Sequence, residues 1–173
     1  MLRAFKKRQA GVTLFEVLLV LFVAAFIAAA VGTIYAKVTM TFKQNQLQNG
    51  LQQLTANITA TYSGSGYSNY SDIDVKKLIA AGLVPDDMHN SETAINPWEQ
   101  TDGWSFATGN PVSTYVLTVI SIPKAACSAM YQGLSKISTA KAMEINKVEV
   151  SSPATAVAEC SKSDANEIKL YVN

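Results

Sequence analysis

Residues 10–17 read AGVTLFEV, inside the stretch MLRAFKKRQAGVTLFEVLLVLFVAAFIAAAVGTIYAK that fills positions 1–37. Four basic residues, Arg3, Lys6, Lys7 and Arg8, precede Gly11. From Val17 to Ala36 there are twenty residues without a charge, almost all apolar. At about 1.5 Å of rise per residue they span roughly 30 Å as a helix, the hydrocarbon thickness of a bilayer. Glu16 stands at the start of this run, where an ionised carboxylate costs a few kcal/mol unless it is neutralised. The basic cluster sets orientation: the N-terminus is expected to stay cytoplasmic and the C-terminal body to cross the membrane.

Working outward, the pattern turns amphipathic after Lys37. Ile34, Val38, Phe42, Leu47, Leu51, Leu54, Ile58 and Tyr62 recur at near-helical spacing with polar residues between. No proline occurs before Pro85. The expectation is one helix from about Val12 to Tyr62, roughly 75 Å long. Its apolar half should project, and its amphipathic half, residues 38–62, should pack on a globular head.

The Gly- and Ser-rich stretch 62–72 is expected to be an irregular loop whose tyrosines lie outside the core. Ser71 or Asp72 should cap a short helix closed by Gly82 and Pro85. Residues 86–93 read as a polar loop, Asn96-Pro97 as a turn, and Asp102-Gly103 as a hairpin-type turn before the strand WSFAT. After a turn at 109–111, residues 113–122 alternate as the strongest strand in the chain. A helix follows from Lys124 with Ala126, Met130, Leu134 and Ile137 on one side. Residues 147–150 read as a short strand, Pro153 opens a short helix, and 167–172 alternate as a closing strand. The head is therefore expected to be α+β, one long helix on an antiparallel sheet of about four strands.

Little in the chain points to catalysis. His89 is the only histidine and is read as a surface residue. Asp72, Asp74, Asp86 and Asp87 fit caps and turns better than a calcium site. No GxSxG, GxGxxG or P-loop occurs, so no enzyme, cofactor or metal is expected. Trp98 and Trp104 are read as core packing, with a binding platform as the alternative. Without residues 1–11 the 14 Lys and Arg fall to ten against 13 acids, a balance of −3. That argues against nucleic-acid binding by net charge. Cys127 and Cys160 lack metal or redox spacing; in an oxidising compartment they form a disulfide, the alternative being two buried thiols.

Three readings compete for the apolar segment. It can be a plain membrane anchor. It can be an ordinary signal peptide cut at Ala28-Ala29-Ala30, releasing a secreted binding domain. Or the basic leader ending in Gly11, followed by Val12-Thr13-Leu14-Phe15-Glu16 and a long apolar helix, resembles the class III signal of type IV prepilins.

That resemblance implies cleavage between Gly11 and Val12 on the cytoplasmic face, N-methylation of Val12, and a filament-assembly role for Glu16 opposite the new amine of a neighbouring subunit. The Tyr-Ser-Gly loop, LIAAGLVP, INPW, KAAC, AVAEC and the last strand resemble type IVb pilins, most of all bundle-forming pilus subunits and pilins of conjugative plasmids. The 11-residue leader is shorter than is usual there, and the apolar helix carries Gly32 and no proline. The resemblance implies a type IV pilin fold with a leader at 1–11, a membrane and filament-core helix at 12–36, and a head at 37–173. A Cys127–Cys160 bond would bound a variable region, 127–160. It also implies partners: the chain itself as homopolymer, prepilin peptidase, an assembly ATPase with its inner-membrane platform, an outer-membrane secretin, and a host or cell-surface receptor. The location implied is the inner membrane with a periplasmic head, then an extracellular pilus serving adhesion, aggregation or DNA transfer. A minor pilin or a type II secretion pseudopilin is the alternative within the same class.

Overall fold

The computed structural model describes residues 13–63, 69–137 and 139–173. Gly11, Val12 and Tyr67 lie outside them. The chain divides into two units, residues 1–39 and 40–173, described in turn.

In the first unit the long helix α1 (Leu14–Ser63) begins two residues after Val12. Thr13 starts it: its carbonyl accepts from the Glu16 and Val17 amides at 3.0 and 3.2 Å, and its Oγ1 also accepts from Glu16 N at 3.3 Å. A threonine there satisfies amides that the first helical turn leaves without partners. Every residue from Leu14 to Val38 is exposed, including Phe15 at 75% and Phe22 at 74%.

In the second unit α1 supplies Leu47, Leu51, Leu54 and Ile58 to the core, spaced as one helical face requires. The buried stripe is shorter than its periodicity suggests. Ile34, Val38 and Phe42 fit the pattern but are 60–67% exposed. Periodicity identifies an apolar face and not the partner that covers it. Gly50 and Gly133 show how close the covering elements come. A Cβ on Gly50 would stand 2.5 Å from Met88 Sδ, and Gln48 crosses Gly133 to donate to Ala129 O at 3.0 Å.

The sheet contains β3 (Trp104–Thr108), β4 (Tyr115–Pro123), β5 (Ala140–Ile145), β6 (Val148–Glu149) and β7 (Ala165–Val172), once the two-residue strands β1 (His89–Asn90) and β2 (Thr93–Ala94) have formed a separate hairpin. Its order is β3-β4-β7-β5-β6, antiparallel throughout. Five strands replace the four expected, and the additional one is AKAMEI. It pairs with β6 across Asn146-Lys147, both at positive φ (52° and 69°), which is the conformation of a two-residue hairpin turn. In β7, Asn166, Ile168, Leu170 and Val172 face inward. Tyr115, Leu117 and Val119 do the same in β4 until a bulge between Val119 and Ile122 shifts the register.

Three local expectations are corrected. Asp74, not Ser71 or Asp72, caps α2 (Val75–Ala80): its side chain accepts from Lys77 N at 2.8 Å. Tyr70 is fully buried, edge-on to Tyr115 with centroids 4.8 Å apart. Its backbone also holds the β3–β4 loop, accepting from Thr108 Oγ1 and donating to Val112 O. Residues 86–93 are not an open loop but a 3-10 turn (Asp86–Met88) followed by the β1–β2 hairpin, with Met88 buried.

Two helices complete the unit. In α3 (Lys124–Leu134), Ala126, Met130 and Leu134 are buried as their spacing predicts, and Ile137 packs partly buried beyond its end. In α4 (Pro153–Cys160), Ser152 and Thr155 form a capping box and Pro153 sits in the first turn.

Candidate functional site

Glu16 lies in the first turn of α1, held there by its amide bonds to Thr13. It is the only ionisable carboxylate or amine side chain among residues 13–36. Around and beyond it the helix is long and apolar enough to cross a membrane. Gly11 and Val12, the residues expected to be cut apart, precede the described part.

In the second unit Cys127 and Cys160 are bonded, with Cα atoms 5.7 Å apart. The two are 0% and 3% exposed. The bond joins α3 to the last residue of α4, so the segment between them, which includes β5 and β6, is tied at both ends.

Asn96, expected only as part of a turn, is a second organising point. Asn96 is 1% exposed and uses its whole amide. Nδ2 donates to Gly103 O at 2.6 Å and Ile120 O at 2.9 Å, while Oδ1 accepts from Trp98 N at 2.8 Å and Glu99 N at 2.9 Å. Ser121, at φ 59° in the bulge of β4, donates to Glu99 Oε2 at 3.0 Å. Asn96 thus fastens loop 95–103 onto the kinked centre of the sheet. No strand pairing spans Asp102-Gly103. Instead the Gly103 amide donates to Ala94 O and its carbonyl accepts from Ile120 N.

Among the described residues of the second unit no catalytic centre is assembled. Among the described residues no three metal-ligating side chains cluster. His89 is half-buried rather than a surface residue, because the β1–β2 hairpin folds it inward. Its Nε2 stands 3.9 Å from Asp86 Oδ1, and its enclosed Nδ1 has no hydrogen-bond partner among the described residues. Trp104 is core, donating its Nε1 to Met88 O at 2.8 Å. Trp98 is partly buried against the core. The perturbed groups are tyrosines. Burial pushes Tyr115 up to about 12, and a hydrogen bond to Glu144, 2.7 Å long, raises Tyr171. Both serve packing and strand pairing. A groove of about 490 Å³ is lined by Gln52, Thr55, Thr59, Lys136 and Thr139 among alanines and Ile137, and holds no carboxylate, histidine or cysteine.

The family model described as PilS N terminal matches residues 42–173, and that of the prokaryotic N-terminal methylation motif matches residues 6–32. Among solved structures, the crystal structure of type IV b pilin from Salmonella typhi is similar with a TM-score of 0.52 and 18% identity. The similarity covers 71% of this chain and 95% of that one. No curated protein matches the chain.

Proposed function

The chain belongs to the PilS family, carries the N-terminal methylation motif and has a type IVb pilin fold; from that premise we propose that it is the polymerising subunit of a type IVb pilus. Family and fold are those of structural, non-enzymatic proteins. The observation that carries the proposal is the apolar half of α1. Its residues from Leu14 to Val38 are exposed, and most of them lie within the stretch 6–32 that the methylation-motif model matches. So long an apolar surface is unstable in water and requires lipid or other copies of itself.

In this reading residues 1–11 are a leader removed by prepilin peptidase after Gly11, and Val12 carries the new, methylated amine. Residues 12–36 hold the subunit in the inner membrane, with the head, 37–173, on the periplasmic side. An assembly ATPase and its membrane platform then move the subunit into a filament that leaves through a secretin. Glu16 neutralises the Val12 amine of an adjoining subunit, because a buried carboxylate needs a cation. The Cys127–Cys160 region forms the variable outer face that meets a receptor or another cell. Adhesion, aggregation and DNA transfer all use such a face.

The test has two parts. Mass spectrometry of sheared surface filaments should find this chain as the main component, beginning at methylated Val12; a mature N-terminus at Val31 in free secreted protein would sink the proposal. Glu16→Ala should leave cleavage and membrane insertion intact and abolish filaments.

A further inference from the structure

The even hydropathy of residues 14–39 hides a difference in side-chain shape. Val20, Val23, Ile27, Val31, Ile34 and Val38 are all the valines and isoleucines between Leu18 and Thr39. Taken with Glu16, they are spaced 4, 3, 4, 4, 3 and 4 residues apart. At about 100° per residue the seven fall within an arc of about 80° on the helix. No Leu, Phe or Ala of residues 14–39 falls in that arc; those line the remaining circumference. The six β-branched side chains are all exposed, from 48% to 63%.

Two independent properties thus share one face. β-branched side chains in a helix hold essentially one χ1 rotamer, so they lose little freedom when packed and form a well-defined ridge. Lipid makes no such demand. An ionisable side chain in a membrane helix, in turn, faces protein rather than lipid. We propose that the Glu16–Val38 arc is the face that packs against a second copy of the same helix, turned toward the axis about which the copies are arranged. The Leu, Phe and Ala faces then lie away from that axis.

The spacing gives the geometry. The pattern repeats every eleven residues, from 16 to 27 and from 27 to 38, which keeps the ridge nearly straight with a slight right-handed coil. If a neighbour's Val12 amine lies level with Glu16, the neighbour is shifted by four residues, a stagger of about 6 Å. Four of the six steps along the arc are four residues, so this shift sets Val23 beside Ile27, Ile27 beside Val31 and Ile34 beside Val38.

This inference rests on the filament reading, and the experiment separates the two. Two chains, Ile27→Cys and Val31→Cys, are expressed together; Cys127 and Cys160 are already paired, so the new thiols are the free ones. Mild oxidation of sheared filaments should give covalent dimers. The same spacing on the opposite face, Ala25→Cys with Ala29→Cys, should give none. Dimers from the second pair, or none from the first, overturn the arc while leaving the pilus intact. Absence of wild-type filaments would instead overturn the filament reading. A measurement without cysteines supports the same decision. Val31→Leu with Ile34→Leu should lower filament yield at least tenfold at unchanged membrane levels, and Val17→Leu, off the arc, should stay within twofold. Wild-type yield from the Val31 and Ile34 pair counts against the proposal.

Discussion

Replacing Asn96 by alanine should cost the second unit about 3–4 kcal/mol. The figure follows from its four hydrogen bonds, at about 1 kcal/mol net each. Two features move the value up: the side chain is 1% exposed, so water does not replace it, and its partners are backbone groups that cannot turn away. One feature moves it down: Gly103 O keeps the amide of Ile120 as a donor at 3.2 Å. Asn96→Asp keeps both acceptor bonds but sets a carboxylate against the carbonyls of Gly103 and Ile120, so it should be no milder than alanine. Urea unfolding of the full chain in detergent, followed by tryptophan fluorescence, measures both; Trp98 lies in the loop and Trp104 borders it, so they report on it directly. Gly103→Ala should act on the same joint, because a Cβ there would stand 2.5 Å from Asn96 N and 2.8 Å from Glu99 O, both backbone atoms. Its cost should be at least about 2 kcal/mol, and the double variant should cost clearly less than the sum of the singles. A loss below about 1 kcal/mol for Asn96→Ala, or strict additivity with Gly103→Ala, would show that the loop is held by something else.

Removing the disulfide as Cys127→Ala with Cys160→Ala should cost about 3–4 kcal/mol, the loop-closure value for a separation of 33 residues, read as a lower urea midpoint. In the native protein dithiothreitol should leave the bond intact, since both cysteines are buried; rapid native-state reduction would contradict that burial. Tyr115 sets an alkaline limit. Burial raises it from 10.0 to about 12, so the folded state favours the neutral phenol. That contribution is whole below pH 10 and is lost as pH rises to 12, amounting to about 2–3 kcal/mol. Tyr115→Phe should remove this part of the alkaline loss, and parallel stability curves for the two proteins between pH 9.5 and 11.5 would refute the assignment.

The elements that could be read from sequence carry their own signal within one segment. Residues 47–58 repeat at helical spacing, and the strands 115–122 and 165–172 alternate cleanly, because one face of each meets the core. Strand β5 carries no such signal, because AKAMEI alternates weakly and its turn uses Asn146-Lys147 rather than a glycine. The burial of Tyr70 is hidden because its sequence neighbours are Ser, Asn and Asp, whereas its partners are Tyr115, Thr108 and Val112, far along the chain. Asn96 shows the same limit at the candidate site. INPW announces a turn, but its meaning depends on Gly103 and Ile120, which only the fold brings near. The bonded cysteines are 33 residues apart, and only the packing of α3 on the end of α4 brings them within reach. Glu16, by contrast, stands out within its own segment as a lone acid at the edge of an apolar run, and the structure places it in the first turn of α1.

The position of β7 in the sheet governs the order in which the protein comes into being. Strand β4 pairs with it on one side and β5 on the other, while β4 and β5 share no ladder. Until the ribosome has delivered residues 165–172, the sheet exists only as two unjoined edges. The apolar half of α1 is made first, and the sheet cannot close until its last strand has followed. The closing of the sheet by its last strand is thus the step that separates a finished chain from an unfinished one.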